Sequence, residues 1–287
     1  MRIAVIGADG QLGTDLVKTL GKDEIKPFYF PDFDITEPLK MRLVLESLRP
    51  EAVINTAAFH RVDECEDDPE AAFRVNAMAV RNLAGLAREL DFVLVHFSTD
   101  YVFDGRKRSP YTEDDPPNPL NVYAVSKLAG EFFVRSFLDR YFIIRTCGLF
   151  GEAGSREKGY NFVDRMIALE GEGKVLRVVD DQWVTPTATT ELAERVSELI
   201  RGDHYGLFHL TSAGECTWFR FAQEVFALMG KKARLEPVDS QSFGAKARRP
   251  LYSVLENKRA REIGLKDLSP WNKALEDYLR KKGLIPR

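Results

Sequence analysis

The chain opens with MRIAVIGADGQLG, residues 1–13, and this stretch predicts the architecture of the protein. Its first six residues form a short apolar run, which is typical of a β-strand. Glycines follow at Gly7, Gly10 and Gly13, and apolar residues at helical spacing come next. The order of strand, glycine turn and helix predicts the first unit of a parallel α/β sheet.

The glycine turn has the geometry of an anion site, because the free N–H groups and positive dipole end of a helix N-terminus favour a diphosphate. Glycines let the backbone turn sharply, approach the phosphates and pack the helix closely on the strand. The spacing G-x-x-G-x-x-G is a variant of the dinucleotide fingerprint, and a glycine turn without a ligand is the alternative. The residues predicted to contact the dinucleotide here are Gly7, Asp9, Gly10, Gln11, Leu12 and Gly13.

The composition argues against several classes of protein. The 287 residues carry a net charge of -3, whereas nucleic-acid binding needs a basic face. No apolar run reaches the roughly 20 residues that cross a bilayer, and we expect no secretory signal because a strand is predicted directly after Met1. Three widely separated cysteines are typical of reduced thiols in a cytoplasmic protein. The four histidines show no metal-ligand spacing, so we expect no metal site.

Strands and helices alternate through the first half of the chain, which predicts a Rossmann-type, doubly wound parallel sheet of the α/β class. Further strands are expected at 25–30, 53–56, 92–97 and 141–146, and long helices at 68–90 and 122–138. Ser98, Thr99 and Asp100 follow one of these strands at its carboxyl end. Open parallel sheets bind their ligands at that edge.

The pattern becomes less regular after Gly148, where short helices alternate with brief strands. We predict a smaller mixed α/β part that binds the substrate over the carboxyl edge of the sheet. The NAD(P)-binding domain is expected at residues 1–147 plus about 175–208, and the substrate domain at about 148–174 plus 209–287. A final amphipathic helix is expected to begin at Pro270 with Ser269 as its cap.

Tyr123 and Lys127 are four residues apart on a predicted helix, so their side chains share one face. A neighbouring cation favours the charged form of a phenol, which then exchanges protons more readily, as carbonyl reduction requires. An exposed helical pair without chemistry is the alternative. Tyr278 and Lys282 repeat the spacing far from any predicted strand end, and we expect them on a solvent-exposed helix face.

Three motifs together carry a family resemblance. The glycine turn, the run STDYVFDG at 98–105 and the Tyr123-x-x-x-Lys127 pair resemble an extended short-chain dehydrogenase/reductase. More narrowly, the chain is similar to the dTDP-4-dehydrorhamnose reductases. The similarity covers nearly the whole chain and includes NTAA at 55–58 and NPLNVY at 118–123.

The resemblance implies an NAD(P)H-dependent reduction of the C4 ketone of a nucleotide-linked 4-keto-6-deoxyhexose. The reaction would convert dTDP-4-dehydro-L-rhamnose to dTDP-L-rhamnose. Tyr123 would give the proton to the sugar oxygen, and Lys127 would hold the nicotinamide ribose and keep the tyrosine acidic. Thr99 would hydrogen-bond the carbonyl and stabilise its developing charge.

The resemblance also implies two sets of binding residues. The adenosine and diphosphate side of the cofactor would contact Asp34, Ile35, Ala57, Ala58 and His60. The sugar nucleotide would contact Thr99, Asp100, Tyr101, Asn161, Gln182 and Arg249. The guanidinium of Arg249 suits a diphosphate because it can bind two oxygens at once, with an exposed basic loop as the alternative. Asn161 and Gln182 have the alternative of bracing the backbone of their loops.

Two positions leave the ligands open. The end of the second strand reads Phe28-Tyr29-Phe30-Pro31, with neither the acid typical of NAD enzymes nor the arginine typical of NADP enzymes, so either NADPH or NADH is expected. Related reductases often carry a tryptophan where this chain has Gly148. A glycine there is expected to open the sugar pocket, which leaves the exact sugar undecided.

Two other kinds of protein share parts of this pattern. Sugar 4,6-dehydratases carry Thr-Asp-Glu at the strand end, but here Tyr101 stands in place of the glutamate. A non-catalytic NADP-binding regulatory subunit, resembling the methionine adenosyltransferase beta subunit, can keep the Tyr-Lys pair and stays open. The partner expected for the enzyme is a nucleotide sugar, and the chain is expected to be a monomer or homodimer.

Overall fold

The computed structural model of the protein describes residues 1–154 and 159–286. The strands are β1 (Arg2–Ile6), β2 (Glu24–Phe28), β3 (Ala52–Asn55), β4 (Val93–Thr99), β5 (Tyr141–Thr146), β6 (Leu149–Phe150), β7 (Leu176–Val179), β8 (Trp183–Val184), β9 (Thr187–Ala188), β10 (Gly206–His209), β11 (Cys216–Thr217) and β12 (Leu235–Val238). The helices are α1 (Gln11–Thr19), α2 (Pro38–Leu48), α3 (Val62–Asp67), α4 (Pro69–Phe73), α5 (Ala79–Leu90), α6 (Val122–Phe137), α7 (Phe162–Gly171), α8 (Thr189–Leu199), α9 (Trp218–Leu228), α10 (Ser240–Phe243), α11 (Lys258–Glu262) and α12 (Trp271–Lys281). A π-helical turn at Arg74–Met78 joins α4 to α5, and a 3-10 turn occupies Asp100–Val102.

A six-stranded parallel sheet forms the centre of the protein, in the order β10-β5-β4-β3-β1-β2. This sheet confirms the predicted α/β class and Rossmann-type fold. The chain places β2 on one side of β1 and then crosses to place β3 on the other side. In open α/β sheets such a reversal creates a crevice beyond the carboxyl ends of the strands, where ligands bind.

The apolar strands are explained by helices on both faces of the sheet. In β1, Ile3 and Val5 point into one core with α1 and α8, whereas Ala4 and Ile6 point into the other with α2 and α5. All four side chains are buried. A strand covered on both sides needs apolar residues at every position rather than at alternate ones, which is why β1 is a continuous apolar run.

Local capping fixes where two helices near the sheet edge begin. The Asp68 carboxylate accepts a hydrogen bond from Ala71 N at 2.9 Å, and Pro69 is the first residue of α4, as predicted. The Asn121 side chain accepts from Ala124 N at 2.8 Å and so starts α6. This cap determines which helical turn presents Tyr123.

Apart from β10, the strands after β5 form small two-stranded pairs. These pairs are β6 with β9, β8 with β11, and β7 with β12. The division into two domains stays a prediction. Within it, β7 pairs away from the six-stranded sheet to which 175–208 was assigned, whereas α8 packs on α1 and β10 joins the sheet.

Two expectations for the last helix are wrong. Pro270 occupies the cap position of α12, and no side-chain hydrogen bond from Ser269 caps it; the Ser269 N–H instead donates to Glu191 at 2.7 Å. Tyr278 is 5% exposed and packs in an apolar cluster with Phe150 and Leu275, so it does not lie on a solvent-exposed face. None of the described helices is long and apolar enough to span a bilayer.

Candidate active site

The glycine turn after β1 brings backbone segments too close for side chains. Gly7 has φ +76°, and a Cβ there would lie 2.7 Å from the Thr56 hydroxyl. A Cβ on Gly13 would overlap the carbonyl oxygen of Gly7. The first turn of α1 therefore lies directly against the end of β1, as the glycine spacing predicts.

The start of α1 fits the diphosphate of a dinucleotide. Gly10 is its N-cap and supplies no side-chain hydrogen bond, and the first turn carries no acidic side chain. A helix N-terminus without such a cap offers its N–H groups to an anion. Gln11 Oε1 is also buried without a hydrogen-bond partner among the described residues, which is costly unless a ligand donates to it. Leu12 is buried in the core, and Asp9 lies within the turn.

The other predicted cofactor residues follow the neighbouring strands β2 and β3. Asp34 Oδ1 accepts hydrogen bonds from the backbone and hydroxyl of Thr36, both at 2.8 Å, and Ile35 is buried in the apolar core. Ala57, Ala58 and His60 follow β3 and are half-buried. These segments lie beyond the carboxyl ends of strands that flank β1, so the topology groups them at one edge of the sheet.

Thr99 and Tyr123 meet at the end of β4. Thr99 lies close enough to Tyr123 to influence the pKa of its phenol, and the Thr99 hydroxyl accepts from Tyr101 N at 3.1 Å and donates to Asp100 Oδ1 at 3.0 Å. Burial raises the pKa of the Tyr123 phenol, against a smaller lowering by Thr99. This direction is opposite to the effect expected from Lys127. A raised pKa keeps the phenol protonated at neutral pH, as a proton donor must be.

Lys127 lies one helical turn after Tyr123 and is 3% exposed. Its Nζ donates to the carbonyl oxygen of Phe97 at 2.6 Å, which anchors the amine to the end of β4. Burial lowers the pKa of Lys127 to about 8, because a charged amine loses solvation in the protein interior. Thr99, Tyr123 and Lys127 are thus brought together at the carboxyl edge of the sheet.

Asp100 turns toward protein groups. Its Oδ2 lies 3.0 Å from the Cys147 Sγ, and its Oδ1 accepts from the Thr99 hydroxyl at 3.0 Å. Burial raises the pKa of Asp100, while the hydrogen bonds from Cys147 and Thr99 oppose that rise. Asp100 therefore braces the strand end, and its predicted contact with the substrate stays a prediction.

Arg249 and Tyr101 form a second layer beside Tyr123. The Tyr101 ring meets the Tyr123 ring edge-on, with centroids 6.2 Å apart, and its phenol contacts the guanidinium of Arg249. Arg249 also binds both carboxylate oxygens of Asp63, at 3.1 and 2.9 Å. The guanidinium of Arg249 therefore lies in the same cluster as Tyr123, and its two NH2 groups bind Asp63. Its contact with a substrate diphosphate stays a prediction.

Asn161 and Gln182 make their described bonds to protein groups. Asn161 Nδ2 donates to Gly151 O at 2.9 Å and to the Tyr278 hydroxyl at 2.8 Å, and its Oδ1 caps α7. Gln182 Nε2 donates to the Ser240 hydroxyl at 2.9 Å. The contacts that the structure shows are those of the bracing alternative, and the substrate role of both residues stays a prediction.

Gly148 has a backbone reason to be glycine. Its φ is +54°, and a Cβ there would lie 3.2 Å from Pro186 Cα and 3.2 Å from Trp218 Cη2. An indole ring from α9 therefore already lies beside this position. This ring fills space next to Gly148, and the expected opening of the sugar pocket there stays a prediction.

Sequence reasoning missed several residues that hold the site. Asn76 in the π-helical turn donates to Phe59 O at 2.9 Å and to the Ser126 hydroxyl at 3.0 Å, so it joins the loop after β3 to α6. A buried asparagine inside an apolar helix is a signal that could have found it. Asp63, the partner of Arg249, gives no such signal. Across 1–154 and 159–286, no group of three metal-ligating side chains is found.

Comparisons with known proteins identify the family of this chain. A family profile described as the RmlD substrate binding domain matches residues 1–283. A dTDP-4-keto-6-deoxy-D-glucose reductase from Streptomyces niveus is 41% identical over 278 residues, which cover 96% of this chain and 95% of the relative. A dTDP-4-dehydrorhamnose reductase from Streptomyces griseus is 39% identical over 285 residues, covering 96% and 92%.

A solved structure gives the same result in three dimensions. The crystal structure of a dTDP-4-dehydrorhamnose reductase from Bacillus anthracis, in complex with NADP, superimposes with a TM-score of 0.93 at 36% identity and covers 98% of this chain and 99% of its own. A UDP-glucose 4-epimerase from Thermus thermophilus, at 19% identity and a TM-score of 0.83, shares the fold. The chain belongs to the RmlD substrate-binding-domain family, within the short-chain dehydrogenase/reductase fold.

Proposed function

We propose that this protein catalyses the NAD(P)H-dependent reduction of the C4 ketone of a dTDP-linked 4-keto-6-deoxyhexose. The observation that carries the proposal is the meeting of Thr99, Tyr123 and Lys127 at the sheet edge that also holds the glycine turn. The substrate we propose is dTDP-4-dehydro-L-rhamnose, and the product is dTDP-L-rhamnose. The names of the relatives support a dTDP-sugar, and they support an enzyme over a regulatory subunit.

The chain's own groups would perform the acid catalysis. When bound, the reduced nicotinamide supplies a hydride to the sugar C4. Tyr123 donates its phenolic proton to the C4 oxygen, so the ketone becomes a secondary alcohol. Thr99 orients the carbonyl through its hydroxyl, and the ammonium of Lys127 holds the ribose and offsets the negative charge left on the phenol.

The cofactor would lie along the edge formed by the ends of β1, β2 and β3. The N–H groups at the start of α1 would bind its diphosphate, and Gln11 Oε1 would gain a hydrogen-bond donor. Tyr29 and Phe30, exposed at the end of β2, carry no charge that selects for or against a ribose phosphate. We therefore propose that both NADPH and NADH serve. The cytoplasmic location predicted from the reduced cysteines stays a prediction.

The test is a panel of substrates. Purified protein is mixed with NADPH or NADH and with dTDP-, UDP- or GDP-linked 4-keto-6-deoxy sugars, in both the L-rhamno and D-gluco series, and the absorbance of the reduced nicotinamide is followed. We expect oxidation with the dTDP-linked L-rhamno substrate, and product isolation should give its C4 alcohol. No oxidation with any sugar, combined with capture of an adenosyltransferase in a pull-down, would overturn the enzyme in favour of the regulatory subunit.

A further inference from the structure

A buried carboxylate lies one helical turn after Lys127. Glu131 is 1% exposed, and its position four residues along α6 places it on the same helix face as Lys127. Arg145 of β5 is 2% exposed and binds this carboxylate with two hydrogen bonds, Nε to Oε1 at 2.9 Å and Nη2 to Oε2 at 2.7 Å. The geometry is the two-pronged arrangement that fixes both partners most rigidly.

The same carboxylate also binds the strand that carries Thr99. The Ser98 hydroxyl donates a short hydrogen bond to Glu131 Oε1, and Ser98 stands opposite Arg145 in the pairing of β4 with β5. Ser98 directly precedes Thr99 in the chain. Glu131 therefore connects three elements at the site: α6, β4 and β5.

Packing is a poor reason for burying this pair. Two charges lose favourable solvation when they are buried, and their mutual attraction offsets this loss only when every hydrogen bond is satisfied. A protein with an apolar pair of similar volume in their place is often as stable. Here Arg145 Nη1 is buried without a partner among the described residues, although the guanidinium lies over the Phe103 ring at 5.2 Å. An arrangement that is costly for stability and adjoins reacting groups suggests a task in the reaction.

We propose that Glu131 is a positioning residue for the reduction: held by Arg145, its carboxylate fixes the end of β4 through Ser98 and keeps a negative charge one turn from the Lys127 ammonium. This inference rests on the proposed function.

The electrostatics of the surroundings agree with the proposed role. Burial lowers the pKa of Lys127, and the charge of Glu131 raises it, so without that carboxylate the amine would lose its proton at a lower pH. Burial lowers the pKa of His96 far enough to keep that imidazole neutral near Lys127. The titratable and charged groups on the elements that pack against α6 include His96 of β4, Asp100 and Tyr101 of the 3-10 turn, Arg145 of β5, Asp63, Cys65 and Glu66 of α3, and Tyr123 on α6 itself.

The experiment compares Glu131→Gln with Glu131→Asp. The carbonyl oxygen of glutamine can still accept from Ser98 and from Arg145 Nε, but its NH2 group cannot accept from Arg145 Nη2, and the side chain carries no charge. In the wild type we expect kcat to fall at high pH, which we call its high-pH limb. In Glu131→Gln this fall should begin about one pH unit lower, so that well above pH 8 kcat is about tenfold lower than in the wild type. Aspartate keeps the charge but is one methylene shorter, so we expect its limb to stay in place while kcat falls at every pH.

Cofactor binding supplies a readout that needs no turnover. The dissociation constant of NADPH, followed by its fluorescence across pH, should rise at lower pH in Glu131→Gln than in the wild type. This measurement separates the two proposals: a wild type that oxidises NADPH with none of the sugars counts against the function, whereas a folded Glu131→Gln protein whose NADPH dissociation constant depends on pH as in the wild type counts against the role of Glu131.

A third variant covers the case in which Glu131→Gln does not fold. Ser98→Ala removes one hydrogen bond of the carboxylate and leaves the ion pair with Arg145. We expect kcat to fall severalfold with KM and the pH limb unchanged, because the end of β4 is less firmly held. A Ser98→Ala protein with the kcat of the wild type would overturn the positioning role.

Discussion

The chain contains two Tyr-x-x-x-Lys pairs with the same spacing and different surroundings. Tyr123 lies beside Thr99 at a strand end, and the Lys127 amine donates to a backbone carbonyl and forms no ion pair within the described residues. In the second pair the Tyr278 hydroxyl lies 3.0 Å from the carboxylate of Asp164, and the Lys282 amine binds the same carboxylate at 2.6 Å. The first pair lies at the carboxyl edge of the sheet, where we propose that the ligands bind. The second pair is bonded to the carboxylate of Asp164.

This difference shows what four-residue spacing can and cannot do. It places two side chains on one helix face in both cases. It does not determine whether an acid neutralises the amine. Burial lowers the pKa of Lys127 to about 8. Burial also lowers the pKa of Lys282, but its bonds to Asp164 and Tyr278 raise the value overall.

The largest expected difference is in turnover of the tyrosine variants. Tyr123→Phe removes the proton donor and should lower kcat by about 10²- to 10⁴-fold, while the dissociation constant of NADPH changes little. Tyr278→Phe removes a hydroxyl of the same kind, one that bonds Asn161 and Asp164, and should keep kcat. Steady-state kinetics with the preferred sugar nucleotide, with NADPH binding measured in parallel, provide the comparison.

The result for either variant can contradict the proposed difference between the two pairs. Tyr123→Phe with the kcat of the wild type would mean that another group donates the proton. Tyr278→Phe with an increased KM would mean that Asn161, which donates to the Tyr278 hydroxyl, acts on the substrate after all.

The next difference is in the response to pH. The pKa of Lys127 is about 8, below its ordinary value of 10.5, so the amine loses its proton as the pH rises past 8. We expect kcat to be constant below that point and to fall toward tenfold per pH unit above it. Lys282→Met is the matched control, because its amine binds Asp164 away from the reacting groups, and it should leave the limb in place. If the fall of kcat at high pH shifted in Lys282→Met, the titrating group would not be Lys127 as we propose.

The sequence predicted features that depend on neighbours along the chain. The strand–glycine–helix order of residues 1–13 predicted β1, α1 and the turn between them, and apolar runs predicted β4 and β5 to within two residues. Glycine is required at 7 and 13 because of contacts within one supersecondary unit. Such local requirements can be inferred from one sequence.

Features that depend on distant segments could not be predicted in this way. Asp63 meets Arg249 across 186 positions, and Asn161 meets Tyr278 across 117. A helical pattern shows that Tyr278 has an apolar side nearby, but it does not show that α7 covers it. The raised pKa of Tyr123 likewise follows from burial, which the spacing of Tyr123 and Lys127 does not contain.

The smallest expected effects concern the stability of the second pair. Tyr278→Phe leaves a buried Asn161 N–H without its acceptor, which should lower the free energy of unfolding by about 1–3 kcal/mol. Lys282→Met removes an ion pair near the surface and should cost about 0.2–1 kcal/mol, because solvent screens such pairs. Denaturant unfolding of both variants measures the order. If Lys282→Met cost more than Tyr278→Phe, the ion pair with Asp164 rather than the tyrosine hydroxyl would hold α12 on α7, and the second pair would be primarily electrostatic.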